Sequence, residues 1–320
     1  MSVNKENLIV YVSSKNNYDM LAGEVLKNIK LEGFEFINVD DCSEKSEIEK
    51  GKKICRDNNI IFLSNKSRGV QMATQTLVDF INLNRPNCKW IFCFQHDNYP
   101  ISKNFFSNIS SLIDSNKIDN FGLLGFNHLD YGSYTLLSYY KYLIGLKPLG
   151  MLGLLHLTET LPPNRWLCQR KNSRRLKNKK WALPFIIEFP VWASIGINLN
   201  GWNKFIKPTT NYQFLLWLPD VAMQFNENNQ ASLVLPDLYT FNNQSLKLKY
   251  GIAKDATASA KSGNVKHFGE FSNFEYWKKR WGWDYENAKQ TFPVEKYRGT
   301  LLEEFYLHDI DQGPLKNIKL

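Results

Sequence analysis

The stretch LIVYVSS, Leu8–Ser14, is the first of five apolar segments that decide the fold. Apolar β-branched and aromatic residues fill it, and it ends in small polar residues, which is typical of a buried strand that stops at a loop. The segment YDMLAGEVLKNIK follows it and places apolar residues at helical spacing. A buried strand followed by an amphipathic helix is the repeating unit of a parallel α/β sheet.

The same unit recurs along the first 126 residues. Further strands are predicted at residues 34–40, 60–65, 89–94 and 121–126. Helices are predicted between them at residues 43–58, 69–83 and 103–114. This alternation predicts an α/β fold with a doubly wound, mostly parallel sheet. After residue 126 the alternation ends, and no linker or internal repeat marks an independent second domain.

Composition indicates a globular chain with a sizeable core. The 320 residues are 43% hydrophobic and 14% aromatic, and the net charge of +9 suggests a polyanionic partner: nucleic acid, anionic lipid or the phosphates of a small ligand.

The five cysteines show no CxxC spacing, so we expect reduced thiols in a cytosol. The N-terminus has too short an apolar core for a signal peptide. Residues 134–157 are interrupted by Lys141, Lys147 and Pro148, which favours a core or interfacial segment over a membrane span.

Each of the first four predicted strands ends in polar residues. They are Ser13, Ser14 and Lys15, then Asp40 and Asp41, then Ser64, Asn65 and Lys66, and finally Gln95, His96, Asp97 and Asn98. A single polar strand end is ordinary, but parallel sheets bind ligands beyond the carboxyl ends of their strands. Four such ends, two of them acidic, therefore favour a binding site at this edge.

These segments, in this order and spacing, resemble glycosyltransferases of the family 2 type with the Rossmann-like GT-A fold. The resemblance is carried by LIVYVSS, INVDDCS, IIFLSNKSRG and WIFCFQHDNY, and later by LWLPDVAMQF and HFGEFSNFEYWKKRWG. It implies a nucleotide-sugar-binding part at residues 1–126, an acceptor-binding and catalytic part at 127–290 in the same domain, and a C-terminal extension at 291–320.

The resemblance implies a donor site built from the strand ends. It favours Asp40 for the nucleotide base, leaves Asp41 as an alternative, and places Ser13, Asn65, Gly69 and His96 around the donor. A carboxylate at a strand end can accept from a base N–H or a ribose hydroxyl. Asp41 has a structural alternative, in which it caps the helix that starts near residue 43. Uridine is the commonest base in the family, so the resemblance implies a UDP-sugar as the donor.

Asp97 is the predicted metal ligand, with His267 as a distant further ligand. Hard divalent ions bind carboxylates together with substrate phosphates, and the His would suit Mn²⁺ as well as Mg²⁺. The family normally has two acids here, whereas this chain has His96, Asp97 and Asn98. The alternatives are phosphate binding by Lys or Arg, an Asx-turn at Asp97 before Pro100, and a structural role for His267.

Asp220 is the predicted general base. It lies in the apolar segment FLLWLPDVAMQF, where a carboxylate has a reason for a raised pKa. One base and a direct displacement imply inversion at the anomeric carbon. The structural alternative is an N-cap, since Asp followed by VAMQF begins a helix well.

Residues 165–180 form a basic run without an acid. It could be a solvated loop, a lid over the diphosphate or a patch for anionic lipid. We expect a cytoplasmic enzyme of polysaccharide assembly, in peripheral contact with the inner membrane surface, that acts on a glycan or lipid-linked acceptor. One alternative is a nucleic-acid-binding protein that uses this run, but we expect no nucleic acid because no RNP or helix-turn-helix signature is present. The other is a catalytically silent nucleotide-sugar binder, which the reduced acidic motif suggests.

Overall fold

The computed structural model describes residues 3–96, 98–131, 184–190, 194–212, 216–243, 250, 273–285 and 293–302. Asp97, His267, the apolar stretch 134–157 and the basic run 165–180 lie outside the described residues. In the described part of the chain, no helix is long and apolar enough to cross a membrane.

Nine described strands form one sheet. They are β1 Leu8–Ser14, β2 Phe36–Asp40, β3 Ile61–Ser64, β4 Trp90–Phe94, β5 Asn98–Pro100, β6 Leu123–Tyr131, β7 Phe185–Ile187, β8 Ser194–Asn198 and β9 Ser232–Asn243. The helical segment α1 runs through Tyr18–Met20, the π-helical turn Leu21–Val25 and Leu26–Asn28. The later helices are α2 Lys45–Asp57, α3 Val70–Asn84, α4 Phe105–Asp114, α5 Leu199–Phe205, α6 Trp217–Glu227 and α7 Phe274–Trp281, followed by a 3₁₀ turn at Val294–Tyr297.

The sheet confirms the predicted α/β class. Its order is β3-β2-β1-β4-β8-β6-β9-β5. Strands β5 and β7 share the edge of β9, where β5 pairs with residues 240–242 and β7 with residues 232–234. The pairs β3–β2, β2–β1, β1–β4 and β6–β9 are parallel, whereas β8 runs antiparallel between β4 and β6. The described strands β1, β2, β3, β4, β6 and β9 therefore point one way, and the short strands β5, β7 and β8 point the other way.

The antiparallel strands are the part of the sheet that the alternation does not predict. Because β8 lies between β4 and β6, residues from beyond 126 complete the sheet that the first half begins. Several predicted boundaries also move, and two of them move at residues with a left-handed φ. The strand predicted at 34–40 starts at Phe36, since Glu32 and Gly33 have φ of 54° and 83° and form a turn. The helix predicted at 103–114 starts at Phe105, since Asn104 has a left-handed φ of 54°.

The core lies on both faces of the sheet, because β1, β2 and β4 are buried along nearly their whole length. Phe92 in β4 lies at the centre of an aromatic cluster between the sheet and α4. Its ring centroid is 5.3 Å from that of Phe105, 5.2 Å from Phe106 and 5.5 Å from Phe126. These contacts hold β4 in place, and the end of β4 carries His96.

We expect Phe92→Ala to lower the free energy of unfolding by about 3–5 kcal/mol, because it removes a buried ring and leaves a cavity. Urea unfolding followed by circular dichroism measures the change. Leu83→Ala is the matched control: Leu83 is 85% exposed, and its loss should change stability by less than about 0.5 kcal/mol. Equal losses in the two variants would contradict this description of the core.

Candidate functional site

A buried chain of hydrogen bonds links the carboxyl ends of β1, β2 and β4. Ser14 Oγ donates to Asn38 Oδ1 at 2.5 Å and lies 2.8 Å from His96 Nε2. Asn38 Nδ2 donates to the Tyr18 hydroxyl at 3.3 Å, and that hydroxyl donates to Asp40 Oδ1 at 2.7 Å. The parallel register brings these strands together, with Ser14 opposite Asp40 and Val12 opposite Asn38. Three neighbouring strand ends therefore share one polar network.

Asp40 uses both carboxylate oxygens within the protein. Oδ1 accepts from the Tyr18 hydroxyl, and Oδ2 accepts from the backbone N–H of Ser43 at 3.2 Å. The side chain is buried. Asp40 thus fixes the turn after β2, and the ligand contact predicted for it would have to share an oxygen that already accepts a hydrogen bond.

Asp41 connects the same turn to the loop after β3. Its Oδ1 accepts from Asn65 Nδ2 at 2.9 Å and from the backbone N–H of Gly69 at 2.8 Å. Among the described residues, these side-chain hydrogen bonds all reach Oδ1 and leave Oδ2 for another donor. Burial raises the pKa of Asp41, while these two hydrogen bonds and the charges of Lys15 and Arg68 lower it. The N-cap of α2 is Glu44, so the capping role considered for Asp41 is not present.

The loop between β3 and α3 is shaped by Asn65 and Gly69. Asn65 Nδ2 also donates to the carbonyl of Ser67, and its Oδ1 accepts from Thr76 Oγ1 at 3.1 Å. Gly69 has φ of 124°, which disfavours any residue with a side chain, and its N–H points at Asp41 from the start of α3. Ser13, the remaining predicted residue of β1, is half-buried on the strand next to Ser14.

Asp220 lies fully buried in the first turn of α6, where Leu216 occupies the N-cap position. The N-cap alternative for Asp220 is therefore wrong. Its Oδ2 accepts from Gln71 Nε2 at 3.1 Å and from Gln224 Nε2 at 3.0 Å.

Its other oxygen meets helix α7. Oδ1 accepts from Trp281 Nε1 at 2.9 Å and lies 3.2 Å from Arg280 Nε. Burial raises the pKa of Asp220, and the Arg280 charge together with the three side-chain hydrogen bonds lowers it.

Gln71 joins the two acidic sites. It is fully buried in the first turn of α3, two residues after Gly69. Its Nε2 donates to Asp220 and to the carbonyl of Trp217 at 2.9 Å, and its Oε1 accepts from the backbone N–H of Thr209 at 2.9 Å. The segment from Gly69 to Gln71 therefore contacts Asp41 at one end and Asp220 at the other.

Several residues of this site were not predicted from the sequence. Gln71, Tyr18 and Asn38 are polar residues within apolar helix and strand segments, and that misfit is the signal that could have identified them. Arg280 lies beside Trp281 in the segment YWKKRWG, where nothing in the sequence distinguishes it from Lys278 and Lys279.

The structure leaves two predicted ligands untested. Asp97 and His267 lie outside the described residues, so their roles remain predictions. His96 is buried beside Ser14 at the end of β4. No cluster of three or more His, Cys, Asp or Glu residues that could hold a metal ion occurs within the described ranges.

No protein-family model and no curated protein sequence matches this chain. Solved structures do resemble it. GalNAc-T7, in a crystal structure with UDP, GalNAc and Mn²⁺, matches with a TM-score of 0.51 and 12% identity over 76% of this chain and 44% of its own. The mannosyltransferase PcManGT from Pyrobaculum calidifontis, in complex with GDP-Man and Mn²⁺, matches with a TM-score of 0.45 and 12% identity over 73% of this chain and 56% of its own. The chain therefore has a GT-A-like glycosyltransferase fold.

The GT-A-like fold agrees with the resemblance found in the sequence. The chain spans about half the length of each of these two proteins. The polar groups of the site lie near the carboxyl ends of the first four strands or near the helical turn that follows them. These groups are the network from His96 to Asp40, the carboxylate of Asp41 and the carboxylate of Asp220.

We expect Arg280→Met to lower the free energy of unfolding by about 3–5 kcal/mol at neutral pH, because it leaves a buried carboxylate without its cation. Without Arg280 the folded-state pKa of Asp220 rises further above its ordinary value, so ionised Asp220 opposes folding. The deficit should therefore be largest above the raised pKa and shrink as the pH falls and Asp220 becomes protonated. Urea unfolding at neutral and mildly acidic pH measures both effects.

The matched control is Lys279→Met, which removes a neighbouring exposed cation of the same helix. It should leave stability unchanged within about 0.5 kcal/mol at both pH values. A deficit in Arg280→Met that does not depend on pH would show that the lost packing of the side chain, and not the ion pair, is what matters.

Proposed function

We propose that this protein transfers a sugar from a nucleoside-diphosphate donor to a hydroxyl group of an acceptor. One observation carries the proposal: in a GT-A-like fold, the segment from Gly69 to Gln71 joins Asp41 at the strand ends to the buried Asp220. A donor-binding carboxylate and a candidate base are thereby fixed to the same helical turn. The structure of GalNAc-T7 with UDP, GalNAc and Mn²⁺ supports a nucleotide-sugar donor for this fold.

Asp41 is the better candidate for the nucleotide. Its Oδ1 is fixed by Asn65 and Gly69, which orients the carboxylate, and its Oδ2 can accept from a base N–H or a ribose hydroxyl. Asp40 supports the turn, since both of its oxygens already accept hydrogen bonds. The positive charges of Lys15 and Arg68, which lower the pKa of Asp41, also suit a diphosphate. We retain UDP as the expected nucleotide.

A divalent metal, Mn²⁺ or Mg²⁺, would be held by Asp97, with His267 as a further ligand, at the end of β4. What supports the proposal is the sequence order of the donor types: His96, whose Nε2 lies 2.8 Å from Ser14 Oγ, directly precedes Asp97 in the chain, so an imidazole and a carboxylate follow one another. When bound, the metal would neutralise the charge that develops on the leaving diphosphate.

Asp220 is the proposed general base, and the displacement would invert the anomeric centre. Gln71 and Gln224 hold Oδ2, while Arg280 and Trp281 reach Oδ1 from α7. An acceptor hydroxyl must therefore replace a donor of α7 at Oδ1 before Asp220 can take its proton. The acceptor would be a glycan or a lipid-linked glycan.

A silent nucleotide-sugar binder is the second candidate function. The observation that favours it is the ion pair of Asp220 with Arg280, because a carboxylate that is paired with a cation is a weaker base. Donor binding and donor turnover, measured separately, distinguish the two functions.

We expect a nucleoside diphosphate with Mn²⁺ to raise the melting temperature, since a ligand at about 100 times its Kd adds about 2.7 kcal/mol of stability. The measurement is a thermal-shift panel of UDP, GDP, CDP and ADP with and without MnCl₂. Asp41→Asn should abolish the shift, and Asp57→Asn, which changes an exposed acid of α2, should retain it. If none of the four nucleotides stabilises the wild-type protein, the proposed function is wrong.

We expect Asp220→Asn to reduce sugar transfer by at least about 10²-fold, the contribution typical of a general base, and to keep the nucleotide shift. Release of nucleoside diphosphate from radiolabelled donor measures turnover, and Asp79→Asn, an exposed acid of α3, is the control. Wild-type binding without any turnover would favour the silent binder. Unchanged turnover in Asp220→Asn would remove Asp220 as the base.

A further inference from the structure

We propose that Gln71 and Gln224 are positioning residues that hold Oδ2 of Asp220, so that Oδ1 is the oxygen that receives the proton of the acceptor hydroxyl. The inference deepens the proposed function and rests on it, because it takes Asp220 as the general base. It gives the two oxygens of one carboxylate different tasks. Two buried amides whose orientation is fixed by the backbone carry it.

The backbone between α5 and α6 orients both glutamine amides. The N–H of Lys207 donates to Gln224 Oε1 at 2.7 Å. The N–H of Thr209 donates to Gln71 Oε1 at 2.9 Å. A backbone N–H can only donate, so the amide atom that faces it must be the oxygen. Gln71 and Gln224 come from different helices, α3 and α6, and one short stretch of backbone therefore fixes both amides.

Each amide therefore turns its nitrogen toward Asp220. Gln71 Nε2 lies 3.1 Å from Asp220 Oδ2, and Gln224 Nε2 lies 3.0 Å from the same oxygen. Gln71 Nε2 also donates to the carbonyl of Trp217 at 2.9 Å, a contact that an amide oxygen could not make. A carboxylate oxygen has two lone pairs, and both of those on Oδ2 accept an N–H. A proton that Asp220 gains must therefore go to Oδ1.

The partners of Oδ1 are more exposed than those of Oδ2. Trp281 Nε1 and Arg280 Nε reach Oδ1 from α7, and the Arg280 side chain is 19% exposed. Gln71 is fully buried and Gln224 is 6% exposed. An acceptor can therefore reach Oδ1 by displacing a partly exposed donor of α7. To reach Oδ2 it would have to displace a buried amide that is bonded at both ends.

The glutamines also keep Asp220 ionised while an acceptor is bound. Burial raises the pKa of Asp220, and the Arg280 charge and the side-chain hydrogen bonds lower it. An acceptor hydroxyl that displaces a donor of α7 removes part of this lowering, whereas the two N–H donors on Oδ2 remain. These donors therefore favour the charged form of Asp220 at the stage when a base is needed.

The other ionisable groups on this side of the fold are two tyrosines and one cation. Within the described part of the chain, Arg280 is the charged side chain that contacts Asp220. Burial and the charge of Asp220 raise the pKa of Tyr212, so this phenol keeps its proton where a carboxylate titrates. The Tyr276 hydroxyl accepts from Arg280 Nη1 at 3.3 Å and so acts on Asp220 through that cation. From α3 and α6, neutral glutamines reach the acid.

The first test asks which oxygen of Asp220 takes a proton, and it uses the wild-type protein without donor or acceptor. ¹H–¹⁵N spectra show the indole N–H of Trp281 and the side-chain amides of Gln71 and Gln224, and each signal is assigned by its loss in Trp281→Phe, Gln71→Met or Gln224→Met. As the pH falls and Asp220 becomes protonated, we expect the indole signal to shift most, because its acceptor is Oδ1. A larger shift of the two glutamine amides would place the proton on Oδ2 and overturn the inference.

The second test measures sugar transfer against pH in Gln71→Met and Gln224→Met, which keep the length of the side chain but remove the donor to Oδ2. We expect the acid limb of the profile to move up by about 1–2 pH units, as the loss of a hydrogen bond to a charged group implies, with the KM for the donor unchanged.

The limb should move in both kcat/KM, which reports the free enzyme, and kcat, which reports the complex with substrates. A move in kcat/KM alone would show that the acceptor displaces the glutamines, and an equal loss at every pH would show a packing role. Either result would overturn the inference.

Gln75→Met is the matched control. Gln75 lies one turn after Gln71 in α3, and its amide is also bonded at both ends: Oε1 accepts from Trp202 Nε1 at 2.8 Å, and Nε2 donates to Asp79 Oδ1 at 2.7 Å. The variant should keep the acid limb of the wild type, and thermal melting of each variant confirms that it folds. An equal move of the acid limb in Gln75→Met would show a general effect of losing an amide and would overturn the positioning role.

The outcomes also separate this inference from the proposed function. If no nucleotide stabilises the protein and no sugar is transferred, the proposed function fails, whereas the wild-type spectra still show which oxygen of Asp220 is protonated. If sugar is transferred and the acid limb is the same in the wild type and in both glutamine variants, sugar transfer stands and this inference fails.

Discussion

A buried carboxylate needs hydrogen-bond donors in place of the water it has lost, and this requirement organises the polar edge of the sheet. Asp40, Asp41 and Asp220 are all buried there. The donors come from separate parts of the chain. Asp40 accepts from a tyrosine of α1 and from a backbone N–H of the turn after β2, and Asp41 accepts from a side-chain amide and a backbone N–H of the loop after β3. Asp220 accepts from side chains of α3, α6 and α7. Satisfying three acids therefore fixes the relative positions of most elements around the site.

Because an unpaired buried charge is costly, the side chains and loops at this edge of the sheet are also held in one arrangement. Removing a donor weakens the hydrogen bonding that compensates a buried carboxylate for its lost water, which disfavours rearrangement of the loops after β2 and β3. Gly69 shows how the two acids depend on one segment. It has a positive φ and donates its N–H to Asp41 just before α3 begins, and Gln71 in the first turn of α3 then donates to Asp220. A ligand that binds a site held in this way loses less free energy to the ordering of loops.

The sequence predicts the elements built from local patterns better than those built from distant pairing. The alternation of apolar strands and amphipathic helices predicts β1 to β4 and the helices between them, since each pattern lies within one short continuous segment of chain. It does not predict β8 between β4 and β6, because that pairing joins Phe92 to Gly196, which are far apart in the chain. The same limit applies to the site. The strand ends identify Asp40, Asp41 and His96, but the partners Gln71 and Arg280 become recognisable only once α3, α6 and α7 are packed together.

Helix α7 shows how apolar packing and the polar site depend on each other. Trp277 is fully buried, and its ring lies 6.4 Å from the rings of Phe189 and Tyr212, so aromatic contacts anchor the helix to other parts of the fold. That anchor brings Arg280 and Trp281, at the end of the same helix, to Asp220. The ion pair and the indole hydrogen bond add a directional constraint on the rotation of the helix about its axis. The buried acid thus helps to fix the orientation of α7, and α7 in turn occupies Oδ1 of the acid with Trp281 and Arg280.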